Sequence, residues 1–546
     1  MFCLSVCLSV CWNIVHAPQC SPRALLVFDN RHRRRRRVAD TRFRSAARGD
    51  ITMIQGGWKR RRGLQTCSLP SGCSAHATFK LVTRVVVGVL VAIAVVLKWR
   101  GSALSVRASS LSRARVVHVL GNRCIQGRVP RDEEVSGDSI IYVQLKRAHT
   151  KCIQHRDGTA VTIDNNQITC GQRETEFCAS KIVKYLKLNY DVDLKTSVLV
   201  CVDCSGSLKL FLSQRFETSI SVPARDYSQA TWLHSLGLNV LKNWPKVKFE
   251  INVITTCRET LYPLLEELRE TFFIGDQVNL EIAAESTATE DCLDYIDDYD
   301  WPYGFKRVRH RLVSSGGPQI AIPEAVRPLP VENSYSVLLE DDVMISRQFY
   351  SWLKFVGLQL ADIQNTRKHR YFSISLYTPR VLETGHARRE KIDYEQHGVK
   401  RGGIFGFEVP CSWGAAFNGV YWKEALLYFQ KRLDEEQKPR RIIIPRSRVT
   451  GWKGSWKKWL IELGYTQHWT TIYPIFPNET SFSTNKLMVG EHIGHVTEEM
   501  RRNYTVPLFT SSVWFEQLRR TNLFVEKITV FDAFFTPVVE WRSSSD

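Results

Sequence analysis

Three consecutive acids, Glu340-Asp341-Asp342, follow directly on the apolar run Tyr335-Ser-Val-Leu-Leu339. Adjacent carboxylates repel one another, and the repulsion raises their pKa values. A hard divalent cation bound through oxygen removes that cost, above all when a diphosphate completes its coordination shell. The plain alternative is an acidic surface turn. The apolar run favours the metal, because ligands of open α/β sheets collect at the carboxyl ends of strands. Other chemistry is poorly signalled. Cys201-Val-Asp-Cys204 is a lone C-x-x-C with no second pair, so a local disulfide or two strand cysteines stand ahead of zinc. No Gly-rich loop ending in Lys supports a phosphotransferase.

The acids need a sheet to position them, and the chain around them predicts one. Residues 249–254 form an apolar β-type run, and 259–272 have helical periodicity. Strands follow at 278–284, 307–312 and 336–339, with a helix at 291–299. Alternating strands and helices imply an α/β fold with a doubly wound, mostly parallel sheet. Residues 139–246, with runs such as 139–143 and 197–202, predict a small α/β accessory region. The catalytic domain is expected over 247–546.

The N-terminal part has a different character. The chain has 546 residues and a net charge of +20, which invites a nucleic-acid or membrane-surface reading. Yet residues 1–84 carry 16 Lys and Arg against Asp29, Asp40 and Asp50, a net of +13. Residues 101–546 carry only about +5. The basicity therefore belongs to a tail, and no nucleic-acid partner is expected. Residues 1–78 are expected to be disordered, with 1–52 an extension of the gene model if Met53 is the start. Residues 79–99 contain the uncharged run 85–97, flanked by Arg84 and Lys98, and predict a single membrane span. Residues 100–138 are Ser/Arg/Gly-rich and predict a stem. Asn478-Glu-Thr480 and Asn503-Tyr-Thr505 are glycosylation acceptors if lumenal, which supports a type II orientation. At 44% hydrophobic and 11% aromatic, the chain can bury a full core, so wholesale disorder is excluded.

The acidic turn resembles the D-x-D-type motif of GT-A glycosyltransferases. More narrowly, the run Leu339-Glu340-Asp341-Asp342…Ser346…Phe349-Tyr350…Trp352-Leu353-Lys354 resembles a family-2-like group of membrane-anchored glycosyltransferases of plants, fungi and protists. In that run, Ser346 fits as the N-cap of a helix. Matching blocks are Trp301-Pro-Tyr-Gly304 with Lys306–Arg311, Cys411-Ser412-Trp413-Gly414-Ala415, Ser455–Leu463, and Ser483-Thr484-Asn485 with Gly490-Glu491-His492. The resemblance covers about 247–495. GPI-modifying GalNAc transferases share the acidic turn but carry a transmembrane hairpin that this sequence lacks.

The resemblance implies transfer of a sugar from a nucleotide-sugar donor to a glycan, glycolipid or glycoprotein acceptor, with Mn²⁺ or Mg²⁺, in the Golgi or ER membrane. It implies Asp342 as the direct metal contact, Asp341 and Glu340 as support, and His492 as a further ligand by order, with His495 as alternative. Thr255, Thr256 and Arg258 would hold the nucleotide, Glu285 a ribose hydroxyl, and Arg309 and Arg311 the diphosphate. Trp413, Gly414 and Trp456 would meet the acceptor. Glu462 is the candidate base, with a plain ion pair to Lys458 as its alternative. The family's W-G-x-E-D block is absent, since Ala415-Ala416-Phe417 follow Trp413-Gly414. The base and the stereochemical outcome therefore stay open. The alternative function is a lumenal glycan-binding module that does no chemistry.

Overall fold

The computed structural model describes residues 116–120, 140–144 and 175–538, except 205, 314–316, 364–369, 387–389, 436–442, 490–493 and 520–527. The expected tail, the expected span 79–99 and most of the expected stem lie outside the described residues. No described helix is long and apolar enough to cross a membrane.

The first sheet is built from β1 (Val116–Leu120), β2 (Ile140–Gln144), β3 (Val198–Val202) and β4 (Thr218–Val222). Its order is β2-β1-β3-β4, and every pairing is parallel. Strands buried on both faces read as continuous apolar runs, and β3, Val-Leu-Val-Cys-Val, does so. Its Leu199 and Cys201 pack under the helices 175–190 and 206–213. Its Val198, Val200 and Val202 face the core of the larger domain. This corrects the expected stem. β1 pairs with strands on both sides, so the accessory sheet begins by Val116, inside the 100–138 stretch. Five apolar residues sufficed for a strand within a segment whose average composition is polar.

The second sheet has nine strands. They are β5 (Lys248–Thr255), β6 (Asn279–Ala284), β7 (Lys306–His310), β8 (Ser334–Glu340), β10 (Arg370–Ser375), β13 (Gly403–Phe407), β14 (Ala415–Asn418), β15 (Trp469–Ile475) and β17 (Val530–Phe531). Two small ladders flank it. One pairs β9 (Val343–Ile345) with β16 (Ser483–Asn485), and the other pairs β11 (Val381–Leu382) with β12 (Glu390–Lys391). The order of the large sheet is β17-β13-β15-β10-β14-β8-β5-β6-β7. The β5, β6, β7 and β8 pairings are parallel, as expected. Beyond β8 the sheet is mixed, because β14 runs antiparallel to both β8 and β10.

Alternation along β8 divides the core. Val337 and Leu339 join one cluster with helices 261–269, 290–298 and 349–363, while Leu338 joins another with helices 317–325, 419–435 and 456–467. The result is three layers, with helices on both faces of the sheet. The helix after Ser346 begins at Phe349. The Ser346 hydroxyl accepts from Gln348 N–H at 3.1 Å and bonds the Phe509 carbonyl, so it turns the chain into the helix from two residues outside an N-cap.

Candidate functional site

The strand order sets the location. From β5 the chain goes one way to β6 and β7, then returns to place β8 on the other side of β5. This reversal opens a crevice beyond the carboxyl ends of β5 and β8, the usual ligand site of an open α/β sheet. Thr255-Thr256-Cys257-Arg258 leaves β5 there, and Glu340-Asp341-Asp342 leaves β8 there.

The two segments are tied through Asp341, which is only 3% exposed. One of its oxygens accepts from Thr255 Oγ1 at 2.7 Å and Thr256 N at 2.9 Å, and the other from Arg258 Nη1 at 3.1 Å. Arg258 also reaches Asp342 at 3.3 Å. Cys257, next to Arg258, is disulfide-bonded to Cys292 on the helix 290–298, which anchors the loop. That pairing had no signal in the spacing. Cys201 and Cys204 also form a disulfide, which resolves the C-x-x-C.

The three acids thus differ in situation. Asp341 is turned inward and held as an anchor, which corrects its expected role in metal support. Asp342 and Glu340 are half-buried. Burial raises the Asp342 pKa, against the pull of Arg258 and a hydrogen bond from Asn485. Burial, then Asp342 and Asp341, push Glu340 up to about 8, against Arg258 and Lys457. The backbone of Asp342 accepts from Lys486 N at 2.9 Å, so the β9–β16 ladder braces the turn from outside. Among the described residues, no group of three or more His, Cys, Asp or Glu side chains is placed to hold a metal ion. His492 lies outside the described residues, and His495 is exposed. Asp342 and Glu340 are the half-buried carboxylates that would hold a divalent cation here.

Other expected donor residues separate. Glu285 donates its N–H to the Thr255 carbonyl at 2.9 Å, which brings it to the crevice, but its carboxylate is taken by Arg311 Nε at 3.2 Å. Arg309 binds Glu281 and the carbonyls of Glu324 and Ala325, and Arg311 also binds Glu324. Both belong to the β7 edge, three strands from β8, or about 14 Å at ~4.8 Å per strand. Both are engaged in ion pairs on this side of the sheet, Arg309 with Glu281 and Arg311 with Glu285 and Glu324, and their expected diphosphate role has no direct support in these contacts.

On the other side of β8 the register brings in Trp413. Ala415 pairs with Leu338, so Gly414 and Trp413, which precede it, lie at the end of β14 nearer the acidic turn. Gly414 has φ +89°, and a Cβ there would meet Leu376 at 3.1 Å and Ser483 at 3.2 Å, so glycine is required. The Trp413 carbonyl accepts from Ser483 Oγ at 2.5 Å. Trp413 lines a cavity of about 380 Å³ together with Tyr377, Tyr473, Tyr504, Glu383, Lys457 and the buried free thiol of Cys411. Tyr377 packs edge-on against the indole at 4.8 Å. Burial pushes the Cys411 thiol up, with Lys457 partly opposing. Cys411 and Lys457 stand in the matching sequence blocks without an assigned role, and Glu383 carries no signal in the sequence.

Trp456 is 4% exposed and packs on Phe417, with Trp459 and Trp469 equally interior, so Trp456 is core and not an acceptor contact. Glu462 is 2% exposed. Arg432 grips both its oxygens, at 3.0 and 3.2 Å, and Tyr428 donates to it at 2.9 Å. The ion pair is thus with Arg432, not Lys458, and it ties helix 456–467 to helix 419–435. A carboxylate so enclosed is a structural tie, which corrects its candidacy as base. Asn478 is exposed in a turn, and the side chain of Asn503 lies outside the described residues.

No family model matches this chain, and neither does any curated protein. Solved structures that align include Staphylococcus aureus TarS 1–349 in complex with UDP-GlcNAc, at 12% identity over 46% of this chain and 63% of that one, TM-score 0.26. The apo-form glycosyltransferase GlyE of Streptococcus pneumoniae TIGR4 aligns at 8% identity over 50% and 60%, TM-score 0.26. A further structure of TarS 1–349 aligns at 13% identity over 33% of this chain and 49% of that one, TM-score 0.22. The chain spans less than two thirds of each of these structures. Superpositions this loose do not by themselves establish a shared fold or activity.

Proposed function

We propose that the crevice binds a nucleoside-diphosphate sugar and that the protein transfers the sugar to a hydroxyl of a glycan, glycolipid or glycoprotein. One observation carries this reading. Asp341 locks the loop after β5 to the turn after β8 at the sheet's switch point, leaving Asp342 and Glu340 at its open side. A nucleotide needs that crevice, and its diphosphate needs neutralising charge beside it. Arg258 supplies one forked cation. A Mn²⁺ or Mg²⁺ ion held by Asp342 and Glu340 would supply the rest, stabilising negative charge on the departing diphosphate. Thr255 and Thr256 set the loop's position through Asp341, and Glu285 braces its far side. Trp413 offers a flat apolar face beside the acids, suited to the C–H face of a sugar ring. A type II anchor at 79–99 in the Golgi or ER belongs to the same proposal, and protease protection of the C-terminal part in microsomes tests it.

The full chain is tested by thermal shift with UDP- and GDP-sugars, with and without Mn²⁺. A binding donor raises the melting temperature in a concentration-dependent way. Asp342→Ala is expected to abolish the Mn²⁺-dependent part. If no donor stabilises the protein, or if Asp342→Ala responds like the unmutated chain, the reading is wrong. Stabilisation by free glycans alone would instead support a glycan-binding module.

A further inference from the structure

Glycosyl transfer needs a group to take the proton of the acceptor hydroxyl, and Glu462 is enclosed elsewhere. We propose that the cavity beside Trp413 is the acceptor subsite and that Glu383 is the carboxylate that takes this proton, an assignment that rests on the glycosyl-transfer reading.

Three observations carry it. The first is position. Trp413 lines the cavity and lies two residues before Ala415, which pairs with Leu338 two residues before Glu340, so the cavity is at the end of β8 that carries the acidic turn. Lys457 also lines the cavity, and its charge acts on Glu340. The second is how Glu383 is held. Lys457 Nζ sits 2.5 Å from Glu383 Oε2, with the two side chains only 13% and 24% exposed. Lys457 is anchored because its neighbour Trp456 is buried at the start of helix 456–467. Thr384, next to Glu383, is buried and bonds the Ala533 carbonyl. Thr384 thus fixes the backbone beside Glu383, and Lys457 lies against Oε2, a buried oxygen that accepts no hydrogen bond among the described residues, so the carboxylate keeps acceptor capacity for a hydroxyl. The third is the wall. Tyr377 and Trp413 are packed edge to face, and Tyr504 lies 5.7 Å from Trp413. Aromatic faces together with the Lys457–Glu383 pair, Arg380 and Lys391 suit a sugar, which has an apolar C–H face and polar hydroxyls. Glu383 is the one carboxylate among the described residues lining the cavity.

The step balances. The acceptor O–H bond breaks and its proton passes to Glu383. The freed oxygen pair forms a bond to the anomeric carbon of the donor. The bond from that carbon to the diphosphate oxygen breaks, and its electron pair leaves with the nucleoside diphosphate.

The test uses the full chain and water as the simplest acceptor, so that no acceptor need be known. Donor-induced thermal shift and release of nucleoside diphosphate are measured across pH for the unmutated chain, Glu383→Gln and Glu383→Asp. The expected result is an unchanged donor shift in Glu383→Gln, with release lowered by about 10²–10⁴-fold. Glu383→Asp, which keeps the carboxylate, should release nucleoside diphosphate at an intermediate rate. Melting temperatures without donor show whether each variant folds. If Glu383→Gln does not, Glu383→Asp at the unmutated rate overturns the assignment. Unmutated release by Glu383→Gln beside an intact donor shift overturns it alone. Absence of both shift and release in the unmutated chain overturns the glycosyl-transfer reading, and this assignment with it.

Discussion

Asp341 and Asp342 are neighbours with the same side chain, yet neutralising each should have opposite consequences. Asp341→Asn keeps the shape but replaces one acceptor oxygen with an NH₂ group. That group must face either Thr255 Oγ1 and Thr256 N–H or Arg258 Nη1, all of them donors now 2.7–3.1 Å away. Charge-assisted bonds to a buried carboxylate contribute about 1.5–3 kcal/mol each. The Arg258 share is smaller, because that side chain is 27% exposed and screened. Counting two strong bonds lost or weakened, the expected destabilisation is about 3–4 kcal/mol, a large part of a typical 5–15 kcal/mol. Asp342→Asn weakens the 3.3 Å contact to Arg258 and the hydrogen bond from Asn485 at a half-buried site, keeps an amide oxygen to accept, and relieves repulsion with Glu340. Its expected change is under about 1 kcal/mol, while donor-dependent stabilisation disappears. The assay is the urea midpoint of the full chain for both variants, read beside the donor thermal shift. If Asp341→Asn unfolds within about 1 kcal/mol of the unmutated chain, or if Asp342→Asn loses as much as Asp341→Asn, the division into anchor and ligand is refuted.

Burial pushes the Glu408 carboxyl from 4.5 up to about 8. The folded state then holds an extra proton between those values, so stability falls as pH rises through the window, by at most about 1.4 kcal/mol per pH unit. Glu408→Gln should flatten that part of the stability–pH curve, and an unchanged slope in urea titrations would count against the buried neutral acid. Arg432→Met strands Glu462 as a buried charge and should cost about 3–5 kcal/mol, with Arg432→Met/Glu462→Leu recovering much of it. A loss of turnover in Glu462→Gln without loss of stability would return Glu462 to candidacy as base. Cys257→Ser/Cys292→Ser opens a loop with a sequence separation of 35, and should cost about 4 kcal/mol by loop entropy and weaken donor binding through Arg258. An unchanged melting temperature after reduction of the native protein would contradict this.

Much of the sheet up to residue 340 could be read along the chain, because its strands are parallel and the central pair, β5 and β8, is buried on both faces. The central strands appear as mostly apolar runs, as in Ile251–Ile254 with its one Asn252 and Val337–Leu339, with amphipathic helices such as 261–269 between them. The second half could not be read this way. β14 is the four-residue Ala-Ala-Phe-Asn between strands from distant parts of the chain, and β10 and β15 meet through the polar pair Ser373 and Thr471. Only the finished sheet makes those residues interior. The same division runs through the site. Local sequence placed three acids at the end of a strand, since a strand's end is marked where its apolar run stops. Which acid faces inward depends on donors from a loop about 85 residues earlier, and no local pattern encodes that contact. Glu462 has a motif-like setting, but Arg432 on another helix decides its role. Glu383 has no periodic setting at all, and becomes a candidate only because folding brings Lys457 and Trp413 to it. Residue type and spacing are properties of the chain, whereas burial and partnership arise between segments that only tertiary structure brings together.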